Sequence, residues 1–158
     1  MSSPTVPASR PGVLDQPSLE DLAVLGVRPA ITPEARPFWD AAGQGRLVVE
    51  RCSDCGLHLF PPRGICRRCR SRSLAWVEVA PPAVLYAFTH NHHAWAPGLG
   101  VYTVVLVELP DHDGIRLVGV YDGDGREPRI GDRLDFVFTP FAEGLTRIGF
   151  QPWRGDEA

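Results

Sequence analysis

The 158-residue sequence contains no lysine, so all 16 of its basic residues are arginine. This bias has two interpretations: the codon preference of a GC-rich genome, or selection for guanidinium groups that bind phosphates and carboxylates as a fork. Because 19 acidic residues give a formal net charge of −3, the chain has no strongly basic field of the kind that attracts nucleic acid. We therefore expect no nucleic-acid partner.

Long apolar segments are also missing. No stretch reaches the about 18 apolar residues that a membrane span needs. The N-terminus lacks a charged segment followed by an apolar one, so no signal peptide is expected. These absences predict a cytoplasmic protein with no membrane partner. In the cytoplasm, four cysteines are metal ligands more often than parts of a disulfide framework.

Motifs that mark common enzymes are absent as well. The sequence has no Gly-rich phosphate loop, no Gly-x-Ser-x-Gly elbow and no pair of carboxylates placed for acid–base chemistry. Aspartates lie at 111–113 and 122–124, but they match no calcium-loop spacing and suit turns, whose backbone Asp tolerates. The sequence therefore gives no positive indication of an enzyme that acts alone.

The composition of both chain ends predicts tails, and a helical segment is predicted after the N-terminal tail. Residues 1–16 are rich in Ser and Pro, which predicts a flexible tail, and residues 154–158 form a second tail. Residues 17–45 predict helices, of which the first begins at Ser18 and ends at Gly26. Its apolar side chains recur near helical spacing at Leu19, Leu22 and Leu25. Packing on its own domain and docking on a partner protein both fit this helix.

A second helix is predicted from Thr32 to the glycines at 43–45. Thr32 suits the N-cap and Pro33 the first helical position. Pro37 lies too far inside for a regular helix, so we expect a break or a restart there.

The remainder of the chain predicts strands. Residues 46–80 form a short cysteine-bearing module, and the prolines at 81–82 mark its boundary. Residues 81–153 contain five strand-like stretches divided by turn signals, which favours a small barrel or sandwich. The predicted strands of both modules are 47–50, 75–79, 84–91, 102–109, 116–121, 133–139 and 145–150.

The cysteines form two Cys-x-x-Cys knuckles, Cys52 with Cys55 and Cys66 with Cys69. Two such knuckles close a tetrahedron around Zn²⁺ at about 2.3 Å per sulfur. Gly56 follows the first knuckle and can adopt the positive φ that such a turn often needs. We therefore predict a zinc ribbon.

Four thiolates fill the coordination shell, so the predicted zinc is structural and not catalytic. A redox dithiol is the main alternative, but it usually needs one Cys-x-x-Cys in a βαβ setting, and none is present. An iron–sulfur cluster is the other alternative.

Histidines crowd one predicted strand at His90, His92 and His93. They could bind a second metal, with His90 and His92 on one face of the strand and His93 on the other. No carboxylate stands beside them at a ligand spacing, which favours surface or groove histidines. His58 lies between the knuckles, where the tetrahedron is already complete, and is expected near the site or exposed.

Two further groups are candidate interfaces. Arg63, Arg67 and Arg68 make the ribbon locally basic, either as a solvated face or as a site for a phosphate or an acidic partner. Phe38 and Trp39 are large aromatics outside the main modules, either interface anchors or side chains that pack on the ribbon.

A series of short motifs occurs in one order along the chain. They are Pro37-Phe38-Trp39, Gly45-Arg46-Leu47, Arg51-Cys52, Cys55-Gly56, Pro61-Pro62-Arg63, Cys66 with Cys69, Tyr86–Thr89, Val105–Leu109, Ile130–Asp132 and Phe136–Phe138. Together they resemble an acyl-CoA-associated family, formerly a domain of unknown function, across roughly residues 30–153. The histidine-rich segment and the leucine-bearing helix depart from that pattern.

The resemblance implies N-terminal helices, a rubredoxin-like zinc ribbon with structural zinc, and a five-stranded OB-fold barrel. It also implies a non-catalytic accessory subunit of a thiolase-like aldolase or acyltransferase that acts on acyl-CoA thioesters, including aldolases that shorten steroid side chains, and thus a role in steroid or fatty-acyl degradation. Catalytic residues generally belong to the partner, and the OB-fold can face the acyl-CoA. Some members accompany hydratases of the hot-dog fold.

We therefore expect a hetero-oligomer with a thiolase-like protein and no catalytic residue in this chain. A single-stranded nucleic-acid-binding OB-fold is one alternative, although it predicts basic strands with exposed aromatics, whereas the barrel half is rich in Asp and Glu. An enzyme that uses His90 or His92 on a CoA ester is another.

Overall fold

The computed structural model describes residues 31–93, 101–142 and 145–155. Within these ranges the chain forms one helix and eight strands. They are α1 (Arg36–Gly43), β1 (Leu47–Cys52), β2 (His58–Leu59), β3 (Leu74–Val79), β4 (Ala83–Asn91), β5 (Tyr102–Glu108), β6 (Arg116–Val120), β7 (Arg133–Ala142) and β8 (Leu145–Pro152). The predicted tail at 1–16, the helix at 18–26 and residues 156–158 lie outside the described part.

Helix α1 begins later than the sequence predicts. Residues 33–35 form a turn in which the N–H of Ala35 donates to the carbonyl of Thr32, and the helix starts at Arg36. Pro37 thus falls in the first turn, where its missing N–H is harmless. The expected restart is therefore the true beginning of the helix. At the other end the N–H of Gly45, with φ 74°, donates to the carbonyl of Ala42.

Strand β1 is the centre of the ribbon sheet, whose order is β2-β1-β3, with both neighbours antiparallel. The first four residues of β1 are all buried, and Leu47, Val48 and Val49 belong to the apolar cluster that also contains side chains of α1 and the barrel. The pairing with β3 runs without interruption from Leu47 opposite Val79 to Cys52 opposite Leu74. It thereby carries the first cysteine to the end of the sheet.

The second sheet has the order β6-β5-β4-β7-β8 and curves into a barrel. Its two edges meet at a parallel bridge between Tyr121 and Phe150. Gly119 on β6 allows this approach, since a Cβ there would lie 2.6 Å from the Phe150 ring and 2.8 Å from the carbonyl oxygen of Ile148. Absence of a side chain at this position is therefore a condition of barrel closure.

A single hydrophobic core joins the two sheets. Val48 and Val49 of the ribbon belong to the same buried cluster as Leu85 and Phe150 of the barrel, and Phe38 of α1 packs into it. A smaller cluster of Cys52, Leu57, Leu59 and Cys66 surrounds the cysteines.

The predicted fold class is confirmed: the described chain is mainly β, with a cysteine-bearing ribbon followed by a five-stranded OB-fold sheet. All seven predicted strands are present to within a few residues, and β2 is the additional one. Among the described residues, no helix has the length and apolar character needed to cross a membrane.

Candidate functional site

The two knuckles have the same backbone design. In each knuckle, the backbone carbonyl of the first cysteine accepts a hydrogen bond from the N–H four residues later. Gly56 donates to Cys52 and Arg70 donates to Cys66, both at 2.9 Å. Both of these later residues have positive φ, 75° at Gly56 and 60° at Arg70. The sequence predicted a positive φ at Gly56 but not at Arg70.

The four cysteine sulfurs converge on one point. All lie within 4.8 Å of one another, with 3.5 Å between the sulfurs of Cys52 and Cys69 and 3.6 Å between those of Cys55 and Cys66. A tetrahedral ion with metal–sulfur bonds of about 2.3 Å separates its ligands by about 3.8 Å. The sulfur geometry and donor type therefore fit a metal ion with four thiolate ligands. None of the four cysteines forms a disulfide bond.

Backbone amides tune the first cysteine of each knuckle. The N–H of Cys69 has the largest effect on Cys66 and, together with that of Arg68, lowers the pKa of the Cys66 thiol to about 6. The N–H of Cys55 likewise lowers the pKa of Cys52. Amide donors of this kind stabilise the thiolate form that binds metal. At Cys69 the N–H of Ser71 lowers the pKa, but burial and the neighbouring thiols raise it to about 12.

His58 connects the ribbon to the barrel through a residue that sequence reasoning missed. Both its backbone N–H and its ring Nδ1 lie 2.9 Å from the carboxylate of Asp113, in the turn between β5 and β6. The N–H of His58 is the main reason that the pKa of Asp113 is lowered. The carboxylate thus stabilises the fold above its ordinary pKa of 3.8, and this contribution is lost as the pH falls through the lowered pKa.

The predicted arginine cluster lies on the exposed surface of the ribbon. Arg63 and Arg67 contribute to a cavity of about 340 Å³ together with Phe60 and Ile65, and Arg68 is also exposed. The backbone N–H of Arg63 donates to the buried carboxylate of Glu50, which fixes the start of this loop. Guanidinium groups beside apolar side chains offer a surface for an acidic, partly apolar partner.

The two predicted aromatic anchors have different surroundings. Phe38 is 8% exposed and packs against Phe60 at 5.3 Å between ring centroids, so most of its surface is used within the chain. Trp39 meets Phe38 edge-on at 5.4 Å and is half-buried, so part of its ring remains accessible.

His90 is held between two partners at the open end of the barrel. It pairs with Thr103 across β4 and β5, on the face that carries buried Val105. Its Nδ1 lies 2.8 Å from the Thr103 hydroxyl, and its Nε2 lies 2.8 Å from the Glu127 carboxylate. The ring of exposed His92 is 6.0 Å away. Glu127 is 37 positions along the chain, so no local pattern pointed to it.

Part of the outer face of the barrel sheet is apolar. Val118 is 68% exposed and borders a shallow groove with Val104 and Leu106. At its margin the guanidinium of Arg116 lies 3.4 Å over the ring of Tyr86, which is 47% exposed. An exposed apolar patch with an aromatic rim is typical of an interaction surface.

Comparisons with known proteins agree with the ribbon and the barrel. Residues 39–75 match the family described as "ChsH2, rubredoxin-like zinc ribbon domain", and residues 76–139 match "ChsH2, C-terminal OB-fold domain". Among solved structures, a chain of the "Ltp2-ChsH2(DUF35) aldolase" is 33% identical with a TM-score of 0.70, and the match covers 79% of this chain and 98% of that one.

A DUF35 protein of unknown function from Sulfolobus solfataricus has a TM-score of 0.59, with 78% of this chain and 85% of that one covered. At 17% identity it shows the fold alone.

Two curated proteins are also similar. A "Probable enoyl-CoA hydratase alpha subunit" from Thermomonospora curvata is 38% identical over 92 residues, which are 58% of this chain but only 28% of that protein. A "DUF35 domain-containing scaffold protein" from Methanocaldococcus jannaschii is 26% identical over 117 residues, 66% of this chain and 79% of that protein. The predicted family resemblance is confirmed, and the chain belongs to the DUF35 family, with the zinc-ribbon and OB-fold domains of ChsH2.

Proposed function

We propose that this chain is a non-catalytic accessory subunit that binds a thiolase-fold aldolase or acyltransferase and helps to form its acyl-CoA thioester site. The observation that carries the proposal is the match that covers 98% of a chain of the "Ltp2-ChsH2(DUF35) aldolase", whose name joins two proteins. A role in steroid side-chain or fatty-acyl degradation and a hetero-oligomeric state belong to the same proposal.

We further propose that the metal at Cys52, Cys55, Cys66 and Cys69 is zinc. Four thiolate ligands close together favour zinc or an iron–sulfur centre, and the match to a zinc-ribbon family supports the former. Zinc in such a site is structural: it joins the two knuckles and leaves no open position for a substrate.

The same proposal includes three structural segments and a cytoplasmic location. Division into a helical segment at 17–45, a ribbon at 46–80 and a barrel at 81–153 is supported by the change of sheet between β3 and β4. A cytoplasmic location is supported by the four cysteines, whose sulfurs lie together as metal ligands do and not in disulfide pairs.

The partner enzyme is proposed to dock on the outer face of the barrel sheet around Val118, with Trp39 and the arginines Arg63, Arg67 and Arg68 as additional contacts. Exposed Val118, flanked by half-buried Val104 and Leu106, offers the apolar centre that a stable interface needs. The arginines can pair with acidic side chains at the rim.

Co-expression with the thiolase-like protein encoded beside its gene tests the proposal. The two chains should purify together, and Val118→Arg should reduce the recovered complex at least tenfold because it places a charge in the apolar centre. Ile130→Arg is the matched control, since Ile130 is similarly exposed, at 71% against 68% for Val118, but does not line this groove. Absence of a complex, with no change in the activity or solubility of the thiolase-like protein, would contradict the proposal.

A hot-dog-fold enoyl-CoA hydratase is the second candidate partner. The 38% identity to part of a probable enoyl-CoA hydratase alpha subunit favours it. Parallel co-expression with an adjacent hydratase-like protein separates the two, because only the true partner should protect β5 and β6 from amide exchange.

A further inference from the structure

A groove on the ribbon combines apolar side chains with two arginines. This ribbon groove is the cavity of about 340 Å³ bordered by Phe60, Ile65, Arg63 and Arg67. Ile65 is 41% exposed there. Within the described residues neither guanidinium forms an ion pair, and the carboxylate of Glu50 bonds the backbone N–H of Arg63 instead. Exposed apolar surface beside free cations is typical of a surface that binds another segment.

The chain enters the described structure beside this groove. A Cβ at Gly64, between two groove residues, would lie 3.4 Å from the Cγ of Glu34, so the turn that precedes α1 lies against the groove loop. Ile31 is only three positions before Glu34. Five residues span at most about 18 Å. A segment that ends at residue 26 is therefore within reach of the ribbon groove.

Residues 18–26, here called the leucine segment, have side chains that complement the groove. The predicted helix carries Leu19, Leu22 and Leu25 on one face. Asp21 borders that face, because it is the i, i+4 neighbour of Leu25. Residues 11–27 contain three acidic residues and no basic one. An acidic helix with one apolar face fits a groove that offers apolar side chains and two guanidinium groups.

The other apolar groove, on the outer face of the barrel around Val118, is a poorer match. Its nearby guanidinium belongs to Arg116, which bonds the carboxylate of Glu108 at 2.9 Å and lies over the ring of Tyr86. An acidic segment would have to compete with these contacts. The free arginines therefore favour the ribbon groove.

We propose that the leucine segment binds in the ribbon groove of its own chain, with its leucines on Phe60 and Ile65 and Asp21 beside the two arginines. The segment then covers guanidinium groups that the partner enzyme would contact, so the partner must displace it. This competition rests on the proposed accessory role, whereas the contact within the free chain does not.

Methyl NMR of the full zinc-loaded chain tests the contact. Nuclear Overhauser effects should join the methyl groups of Leu22 to those of Ile65 and to the ring of Phe60. Mixing isotope-labelled with unlabelled chains identifies the occupant. The effects should remain within one chain, and transfer to a second chain would overturn the proposal, because another copy would then fill the groove.

A pair of variants separates the apolar face from the rest of the segment. Leu22→Asp should abolish the Overhauser effects and shift the amide signals of Gly64 and Ile65. Val24→Asp adds the same charge on the opposite side of the predicted helix, so it is the matched control and should retain both. Equal behaviour of the two variants would overturn the proposal.

A charge exchange tests the polar contact. Asp21→Arg and Arg67→Glu should each weaken the Overhauser effects, and the double variant should restore them, because it recreates an opposite pair with the signs reversed. Absence of this rescue, or absence of any effect from Leu22 to the groove in the wild-type chain, would contradict the proposed contact.

The competition is measured separately, by titrating the partner enzyme. Leu22→Asp should bind it about tenfold more tightly if the segment occupies the groove in nine chains of ten. Unchanged affinity would overturn the competition. Failure of the accessory role has a different result, since no complex would form with either chain while the Overhauser effects of the free chain persist.

Discussion

Arg70 occupies a backbone position that glycine occupies in the other knuckle. Its φ of 60° is left-handed, a conformation that costs a residue with a Cβ about 1 kcal/mol or more. Its side chain is exposed. The second knuckle therefore holds strain that the first avoids through Gly56.

Variants at the two left-handed positions, Arg70 and Gly56, test whether the second knuckle is strained. Arg70→Gly should raise the free energy of unfolding by about 1 kcal/mol, and Gly56→Ala should lower it by a similar amount, because both changes alter the cost of the left-handed turn. Denaturant unfolding at saturating zinc measures both, and the second variant is the matched counterpart of the first. Destabilisation by Arg70→Gly would show that the guanidinium makes a contact that outweighs the strain.

At this scale the sequence predicted the cysteine cluster but not its surroundings. The spacing of Cys52 with Cys55 and Cys66 with Cys69 contains the whole geometric signal, because each knuckle is local. The partners of His58 and His90 are Asp113 and Glu127, which are 55 and 37 positions away. Such pairs depend on the register of the barrel, which single-sequence patterns do not determine.

Strand β6 closes the barrel because Gly119 has no side chain. A Cβ at this position would meet the Phe150 ring at 2.6 Å and a backbone carbonyl at 2.8 Å, and the carbonyl cannot rotate away. The close approach of β6 and β8 therefore requires that position 119 carry no side chain.

Gly119→Ala should destabilise the protein by about 2 kcal/mol, since β6 must move away from β8. Gly43→Ala at the end of α1 is the control, because a Cβ there meets only the Thr146 hydroxyl, at 3.9 Å. Thermal unfolding of both variants checks this, and equal stability of Gly119→Ala and wild type would show that the strands separate without cost.

Strands and helices were predicted well where a long apolar pattern marks them. They were predicted poorly where contacts with other parts of the chain determine their ends or their existence. The seven predicted strands have alternating or continuous apolar residues. The two-residue strand β2 has no such pattern and exists because His58 and Leu59 pair with β1. The late start of α1 likewise reflects Pro37, which is favourable in a first turn and unfavourable deeper in a helix.

The knuckles and the shared core depend on the metal to different degrees. Only a small cluster of Cys52, Leu57, Leu59 and Cys66 surrounds the sulfurs, so the knuckles have little other stabilisation. By contrast, the apolar side of β1 packs into the barrel core.

Removal of the metal should therefore have a graded effect. With EDTA and a reductant, amide exchange should become fast in the knuckles and β2, intermediate in β1, and remain slow in β5 and β7. Metal analysis of the untreated protein should give one zinc per chain. Cys66→Ser should reproduce the exchange pattern without chelator, and uniform loss of protection in the barrel would contradict the graded response.

The position of β1 also bears on how the chain is made. Synthesis proceeds from the N-terminus, so the four cysteines leave the ribosome before any barrel strand, and the zinc-binding knuckles can form first. Val48 and Val49, however, share a core with Phe150, which is synthesised about one hundred residues later. They can therefore pack fully only after the last barrel strand has left the ribosome. The nascent ribbon thus exposes an apolar strand while the barrel is being synthesised. The yield of folded protein in cells should therefore depend on zinc supply and on chaperones that cover this strand.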